Sequence, residues 1–224
     1  MRGMLLGIAL LYALGGMAQG SYQWGILPSV NLNKSLEAGW RINTKLESRQ
    51  AFGAGTFRQM DSRGYEYVLT DWAVLGGKKI GNQSIFAGGM IRRRNGQWVQ
   101  RLIQQYALVQ RFSGAKLAHR LATDQTFEAT EPVTVRLRYR IGTELPLRGR
   151  KVDPREPYFK LNHEYLNQWQ GEDYELEIRL VPVVGMLITD ANKLEMGLDY
   201  RLDRFLAGPA RQRCWLSLNW YVSW

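Results

Sequence analysis

The sequence predicts an all-β protein, a small antiparallel transmembrane β-barrel of ten or twelve strands, with twelve preferred. Three observations predict it: long segments in which apolar and polar residues alternate, an alternating segment that ends on Trp224, and a short apolar leader at the N-terminus. Strict alternation indicates β-strands because successive side chains of a strand point to opposite faces. After the leader, no apolar run reaches the ~18 to 20 residues that a membrane-spanning helix needs.

The first 18 residues have the pattern of a signal peptide. Arg2 supplies a positive start, an apolar run follows from Met4 to Leu14, and Gly16 and Ala18 are the small residues that a signal peptidase reads. We predict cleavage after Ala18, which leaves residues 19–224 as one barrel domain. The chain is therefore expected to be exported.

Eleven segments alternate in the predicted barrel domain. They are residues 22–32, 36–49, 65–75, 83–93, 98–112, 117–127, 133–145, 157–166, 174–184, 193–204 and 213–224. Asn95-Gly96, Ser113-Gly114 and Gly76-Gly77 are the hairpin signals between neighbouring segments. The clearest alternation is in residues 133–145, where three arginines share one face opposite aliphatic residues.

An odd number of segments conflicts with the even strand number of ordinary bacterial barrels. Either residues 22–32 lie outside the wall, which leaves ten strands, or residues 50–64 or 146–156 contain one more strand, which gives twelve. We therefore expect ten or twelve strands, with twelve preferred.

The final segment indicates the compartment. Cys214, Leu216, Leu218, Trp220 and Val222 share one face with the terminal Trp224. An alternating final strand that ends on an aromatic residue is typical of bacterial outer-membrane barrels, and we interpret Trp224 as its membrane-terminal signal. The expected partners are outer-membrane lipid and the barrel-assembly machinery, which would recognise this strand.

A soluble periplasmic lipocalin-like binding barrel also alternates, so alternation alone does not separate the two. The segments are longer than the about five or six residues of a typical soluble strand. Tyrosine and tryptophan recur near segment ends, as in the aromatic girdles of membrane barrels. These features favour the membrane barrel.

If the apolar faces meet lipid, the charged faces line the lumen. The predicted lumenal charge network consists of Arg41, Lys45, Glu47, Arg49, Arg120, Asp124, Arg136, Arg138, Arg140, Glu144, Asn162, Glu164, Glu177, Arg179, Glu195, Asp199 and Arg201. One interpretation is a structural network of ion pairs, since the planar guanidinium binds carboxylates bidentately. The other is a selective, porin-like pore, in which Arg136, Arg138 and Arg140 form a basic track for anionic solutes.

The net charge of +10 and the isoelectric point near 9.9 indicate an acidic partner. Export excludes nucleic acid from our expectation and favours acidic lipid headgroups or anionic sugars. The function expected from the residues is a narrow channel or a membrane-embedded scaffold.

Several short motifs carry a family resemblance. They are Arg136-Leu137-Arg138-Tyr139-Arg140 leading to Glu144-Leu145-Pro146-Leu147, then Asn162-His163-Glu164-Tyr165, Arg101 with Gln104-Gln105, and Arg120 with Asp124. In these motifs the chain resembles the domain-of-unknown-function 2490 family. The resemblance implies an uncharacterised exported outer-membrane barrel, mostly of Bacteroidota, and implies no activity. His163 departs from the acidic or small residue expected there.

No catalytic constellation is evident in the sequence. Both histidines, His119 and His163, fall on the apolar face, which makes them poor lumenal bases. The single cysteine, Cys214, lies on the apolar face and is expected to pack there. We expect no metal and no cofactor. A lipid-modifying outer-membrane enzyme stays open as the alternative from another class.

Overall fold

Eleven strands form one closed barrel in the computed structural model, which describes residues 20–224. The predicted signal peptide, residues 1–18, lies outside the described residues. The strands are β1 (Ser21–Ser35), β2 (Trp40–Thr56), β3 (Met60–Ile80), β4 (Gln83–Arg94), β5 (Gln97–Phe112), β6 (Ala115–Phe127), β7 (Thr134–Pro146), β8 (Pro157–Gln170), β9 (Asp173–Thr189), β10 (Asn192–Asp203) and β11 (Arg211–Ser223). A 3-10 turn, Glu37–Gly39, precedes β2. The predicted all-β barrel is confirmed.

Each strand pairs antiparallel with the next one in the chain, and the barrel closes where β1 pairs parallel with β11. Residues 21–33 lie opposite residues 211–223 in the same direction. The strand number is eleven, whereas we expected ten or twelve. An even number is required only when the two closing strands run in opposite directions, and the parallel β1–β11 pair removes that requirement.

None of the three stretches that were expected to add or remove a strand does so. Residues 22–32 belong to the wall, because β1 is paired on both edges. Residues 50–64 mostly lengthen β2 and β3, and only residues 57–59 connect them. Residues 147–156 connect β7 to β8. Neither stretch contains a twelfth strand.

The turns follow the glycine signals with one exception. Asn95 and Gly96 both have positive φ, which fits the two-residue turns that match the twist of a hairpin. Gly76-Gly77, by contrast, lies inside β3, and the turn to β4 is at residues 81–82. A β-carbon at Gly77 would collide with the ring of Phe86 on β4, so this glycine is required for packing across the two strands.

The connections define two rims. The upper rim carries the connections 57–59, 95–96, 128–133, 171–172 and 204–210, and the lower rim carries 36–39, 81–82, 113–114, 147–156 and 190–191. At the upper rim β3 extends beyond β4, because the pairing of these two strands begins only at Thr70 and Arg93. Residues 60–69 of β3 therefore pair with β2 and not with β4, while β2 stays paired with β1 up to Thr56.

The two faces of the wall differ in chemistry. The outer face carries exposed apolar side chains, such as Trp72 at 55% and Met196 at 56% exposure. On the inner face, Leu27, Ala51 and Trp215 form a small buried apolar cluster. Most other buried inward side chains are charged or polar. Residues 20–224 contain no helix that is long and apolar enough to cross a membrane.

Candidate functional site

The lumen of the barrel holds a cavity of about 990 Å³. All eleven strands contribute side chains to its lining, and so does the β6–β7 connection at the upper rim. The lining extends from Asn33 and Asn43 near the lower rim to Gln97 and Gln170 near the upper rim. This cavity, which we call the lumenal cavity, is the candidate site.

A row of directly opposed charges crosses six neighbouring strands of the wall. From β6 to β11 its members are Arg120, Arg140, Glu164, Arg179, Arg201 and Arg213. Strand register places them opposite one another, because residues on paired positions point to the same face. The row therefore contains five guanidinium groups and a single carboxylate.

Glu164 is the acid of this row, and four arginines surround it. Its carboxylate lies 2.7 Å from Arg140 Nε and 3.0 Å from Arg179 Nη1. Arg138 Nε and Arg120 Nη2 are farther away, at 3.6 Å and 3.7 Å. Glu164 is only 1% exposed, so this carboxylate is held by arginines rather than by bulk water.

Asp124 connects the row to the neighbouring strands. It forms an ion pair with Arg136, and it lies 3.5 Å from Arg101 Nε and 3.5 Å from Arg138 Nη2. Arg138 is thus placed between two carboxylates, Asp124 and Glu164, without a hydrogen bond from its Nε to either. In addition to the backbone pairing of these strands, charged side chains therefore link β5 to β8 along the inner face.

Other interior acids have close partners of their own. Asp71 receives two bonds of 2.7 Å from Arg92, and Asp199 receives two of 2.8 Å from Arg201. Such paired contacts hold both groups in a fixed geometry. The negative charge of each of these two acids is therefore neutralised by one neighbouring arginine.

Glu195 anchors a second cluster near the lower rim. Its carboxylate accepts a 2.7 Å bond from the Tyr158 hydroxyl, and it lies 2.5 Å from Lys160 Nζ and 3.2 Å from Lys193 Nζ. Tyr158 lies across Gly185 on β9, where a β-carbon would overlap its ring. The glycine lets the tyrosine lie flat against the wall and reach Glu195.

Charge is unevenly distributed around the wall. The buried and half-buried inward bases of β5 to β8 are Arg101, Lys116, Arg120, Arg136, Arg138, Arg140 and Lys160, and the acids are Asp124, Glu144 and Glu164. On β9 to β11 the bases are Arg179, Lys193, Arg201, Arg211 and Arg213, and the acids are Glu175, Glu177, Glu195, Asp199 and Asp203. The wall of β5 to β8, which we call the basic wall, thus has a surplus of four positive charges, whereas β9 to β11 are balanced.

Most of the network predicted from the sequence lies in or beside the lumenal cavity. Lining residues from that prediction are Lys45, Glu47, Arg49, Arg120, Asp124, Arg136, Arg138, Arg140, Asn162, Glu177, Arg179, Glu195, Asp199 and Arg201. Glu164 is buried behind the lining arginines. Glu144 pairs with Lys116 at 3.1 Å toward the lower rim. Arg41 is exposed at that rim, because β2 begins only at Trp40.

Sequence reasoning omitted several interior charges from the predicted network. Asp71 was missed because β3 is irregular against β2 next to Leu69, which makes the phase of residues 65–75 ambiguous. Arg92, its partner on β4, was missed as well. Asp203 and Arg213 form an ion pair near the upper rim. Both fall on the polar face of alternating segments, so alternation alone was enough to include them. Trp215 alternates with the apolar-face residues Cys214 and Leu216, so it points inward, where it is fully buried under the guanidinium of Arg49, 5.3 Å from the ring centre.

Both histidines occupy outward positions on the wall. His119 Nδ1 lies 2.8 Å from the Tyr139 hydroxyl, and the ring of His163 packs edge-on against Tyr165. Within residues 20–224, no group of three or more histidine, cysteine or acidic side chains has the arrangement of a metal site. The described lumen thus offers ion pairs and unpaired guanidinium donors as its chemistry.

The fold and the lumen define a class, a closed β-barrel whose interior is charged and rich in arginine. The chain belongs to the family described as protein of unknown function DUF2490, whose pattern matches residues 24–212. The resemblance seen in the sequence motifs is confirmed by this match. No curated protein and no solved structure matches the chain.

Proposed function

We propose that the protein is an outer-membrane barrel that acts as a narrow channel for small anionic solutes. The observation that carries the proposal is the lumenal cavity, which is lined from near one rim to near the other and has a basic wall. In this proposal the leader exports the chain and the barrel-assembly machinery inserts it into the membrane through β11.

The outer face supports a membrane location. Exposed leucine, valine, tryptophan and methionine side chains recur on every part of the wall, with Leu46, Val184 and Leu198 among them. Soluble monomers rarely expose contiguous apolar patches larger than a few hundred Å². A closed barrel also leaves few unpaired backbone groups in its wall, which is the condition for a sheet to reside in hydrocarbon.

Aromatic side chains near both rims support the same location. Trp24 and Trp98 lie outward near the upper rim, and Trp40 and Trp220 lie outward near the lower rim. Tyrosine and tryptophan favour the interface between headgroups and hydrocarbon, where they form the girdles of membrane barrels. The apolar band between these aromatics is the proposed lipid-facing surface.

The basic wall supports anion preference. Fixed positive charges on a narrow lumen raise the local concentration of anions and lower that of cations. The side chains of an eleven-stranded barrel fill much of its bore, so the proposed solutes are small. The balanced charges of β9 to β11, which adjoin the basic wall, pair with one another and hold that part of the lumen in a fixed shape.

Reversal potentials in planar lipid bilayers test the channel. With a tenfold gradient of KCl, the wild-type protein is expected to conduct and to give a reversal potential of the sign that chloride preference requires. Arg138→Gln removes one lumenal charge and is expected to lower that preference. A flat wild-type trace, or a preference for potassium, would contradict the proposal.

Arg58→Gln is the matched control for that measurement. Arg58 lies exposed in the connection at residues 57–59, outside the lumen, and its replacement removes the same charge. Its reversal potential is expected to equal that of the wild type. An equal shift in both variants would show that net charge rather than the lumen sets the preference.

A further inference from the structure

We propose that Arg120, Arg138 and Arg140 on the basic wall form a binding site for a tetrahedral oxyanion group, of the phosphate or sulfate class. The inference rests on the proposed function, because it needs a lumen that solutes can enter. It adds a specific site and a ligand chemistry to the general anion preference of the channel.

Two arginines face each other at the centre of this site. Arg120 on β6 and Arg140 on β7 occupy directly opposed positions, both pointing into the lumen. Like charges in directly opposed positions of a sheet destabilise each other. Their shared carboxylate within 4 Å is that of Glu164, which also contacts Arg138 and Arg179. Arg138 also contacts Asp124 and Arg179 pairs with Glu177, so Arg120 and Arg140 are the two arginines that depend on this one negative charge.

The other opposed arginines of the row have acids of their own. Arg201 is held by both oxygens of Asp199, and Arg213 contacts Glu177 at 2.6 Å and also pairs with Asp203. The shortage of negative charge is therefore local to β6 and β7. A site for an anion is expected where guanidinium groups outnumber carboxylates, and this is such a place.

Unpartnered donors point to the same position. The Nε atoms of Arg120 and Arg138 are buried and make no hydrogen bond. Arg138 Nε is 3.6 Å from Glu164 Oε1, beyond hydrogen-bond distance, and that oxygen likewise has no hydrogen bond. A buried donor without an acceptor costs free energy, and an acceptor that enters from the lumenal cavity would remove that cost.

The number of donors indicates the ligand class. Each guanidinium carries five N–H groups in a planar fork, so three of them offer more donors than the two oxygens of a carboxylate can accept. Phosphate and sulfate carry four oxygens and accept bidentate bonds from several forks at once. These ions carry a negative charge of about two, which offsets the local surplus of positive charge better than the single charge of a monocarboxylate does.

Calorimetric titration of the purified barrel in zwitterionic detergent and chloride buffer tests the site without requiring conduction. The probes are inorganic phosphate, sulfate and acetate. Phosphate and sulfate are expected to bind, and acetate at least ~tenfold more weakly. Arg120→Gln is expected to weaken phosphate binding about tenfold, as the loss of one charge-assisted contact predicts.

Lys116→Gln is the matched control. Lys116 lies on the same strand and face as Arg120 and pairs with Glu144 at 3.1 Å, so its replacement removes the same charge from outside the site. Phosphate affinity is expected to stay within about twofold of the wild type. Arg120→Lys keeps the charge but loses the fork, and it is expected to weaken binding nearly as much as Arg120→Gln.

Folding of every variant is checked by the shift in gel mobility on boiling, and Arg120→Lys serves if Arg120→Gln does not fold. Equal phosphate affinity in Arg120→Lys, Lys116→Gln and wild type would overturn the inference, as would a wild type that binds no phosphate. Bilayer conduction with chloride preference but without phosphate binding refutes this site alone. Phosphate binding in a barrel that does not conduct refutes the channel alone.

Discussion

Glu164 lies within 4 Å of four arginines, more basic side chains than any other acid of residues 20–224 contacts. It lies at the crossing of the row that runs from β6 to β11 and the ion pairs that lead through Arg138 to Asp124. Glu164 is almost fully buried, and its negative charge compensates Arg120 and Arg140, whereas Arg138 is shared with Asp124 and Arg179 with Glu177. Its removal takes away the carboxylate that lies within 4 Å of both Arg120 and Arg140.

Glu164→Gln is therefore expected to lower the free energy of unfolding by about 3 to 5 kcal/mol, the typical cost when one partner of a buried ion pair is removed. Urea unfolding in lipid vesicles, followed by tryptophan fluorescence, measures the loss. Glu128→Gln is the control, because Glu128 pairs with the half-exposed Arg94 at the upper rim. That exposed pair is expected to contribute less than about 1 kcal/mol. Equal losses in the two variants would show that Glu164 has no special role.

The β1–β11 pair is the element that closes the barrel. Its parallel direction places Trp24 beside Cys214 and Val30 beside Trp220, all on the outer face. An antiparallel closure would instead bring the start of one strand beside the end of the other. A second cysteine introduced on β1 can therefore test the direction and register of the closing pair, since Cys214 is the single cysteine of the chain.

Trp24→Cys is expected to form an intramolecular disulfide with Cys214 under mild oxidation. Paired strands lie roughly 4.8 Å apart, within reach of a disulfide between opposed residues. Mass spectrometry of proteolytic fragments identifies the linked peptides. Val30→Cys is the control, since it lies six residues farther along β1 and is expected not to react. A disulfide from Val30→Cys but not from Trp24→Cys would contradict the observed register.

The sequence predicted all eleven strands because alternation is a local property, and each strand has enough residues to display it. It did not predict the closing pair, because the direction in which β1 meets β11 depends on contacts between the two ends of the barrel. Irregular pairing next to Leu69 shifts the phase of β3, which concealed the inward position of Asp71. Alternation placed Glu164 in the lumen, but only the register of four strands shows which arginines surround it.

The molecule as a whole has the inverse polarity of a soluble barrel. Its outer wall is apolar, its lumen is mostly charged, and the apolar cluster inside is small and lies around Trp215. In water such an outer wall would be unfavourable, whereas in hydrocarbon it is required. The proposed membrane location therefore predicts that charge on the outer wall is costly only at the depth of the hydrocarbon.

Leu198→Arg and Leu206→Arg test this at two exposed positions. Leu198 lies outward in the middle of β10 at 45% exposure, and Leu206 lies in the connection at residues 204–210 at 57% exposure. In lipid vesicles, Leu198→Arg is expected to lower the free energy of unfolding by about 2 to 4 kcal/mol, and Leu206→Arg by less than about 1 kcal/mol. Urea titration of both variants measures the difference. A soluble barrel would tolerate arginine at either position equally, so equal stability of the two variants would contradict the membrane location.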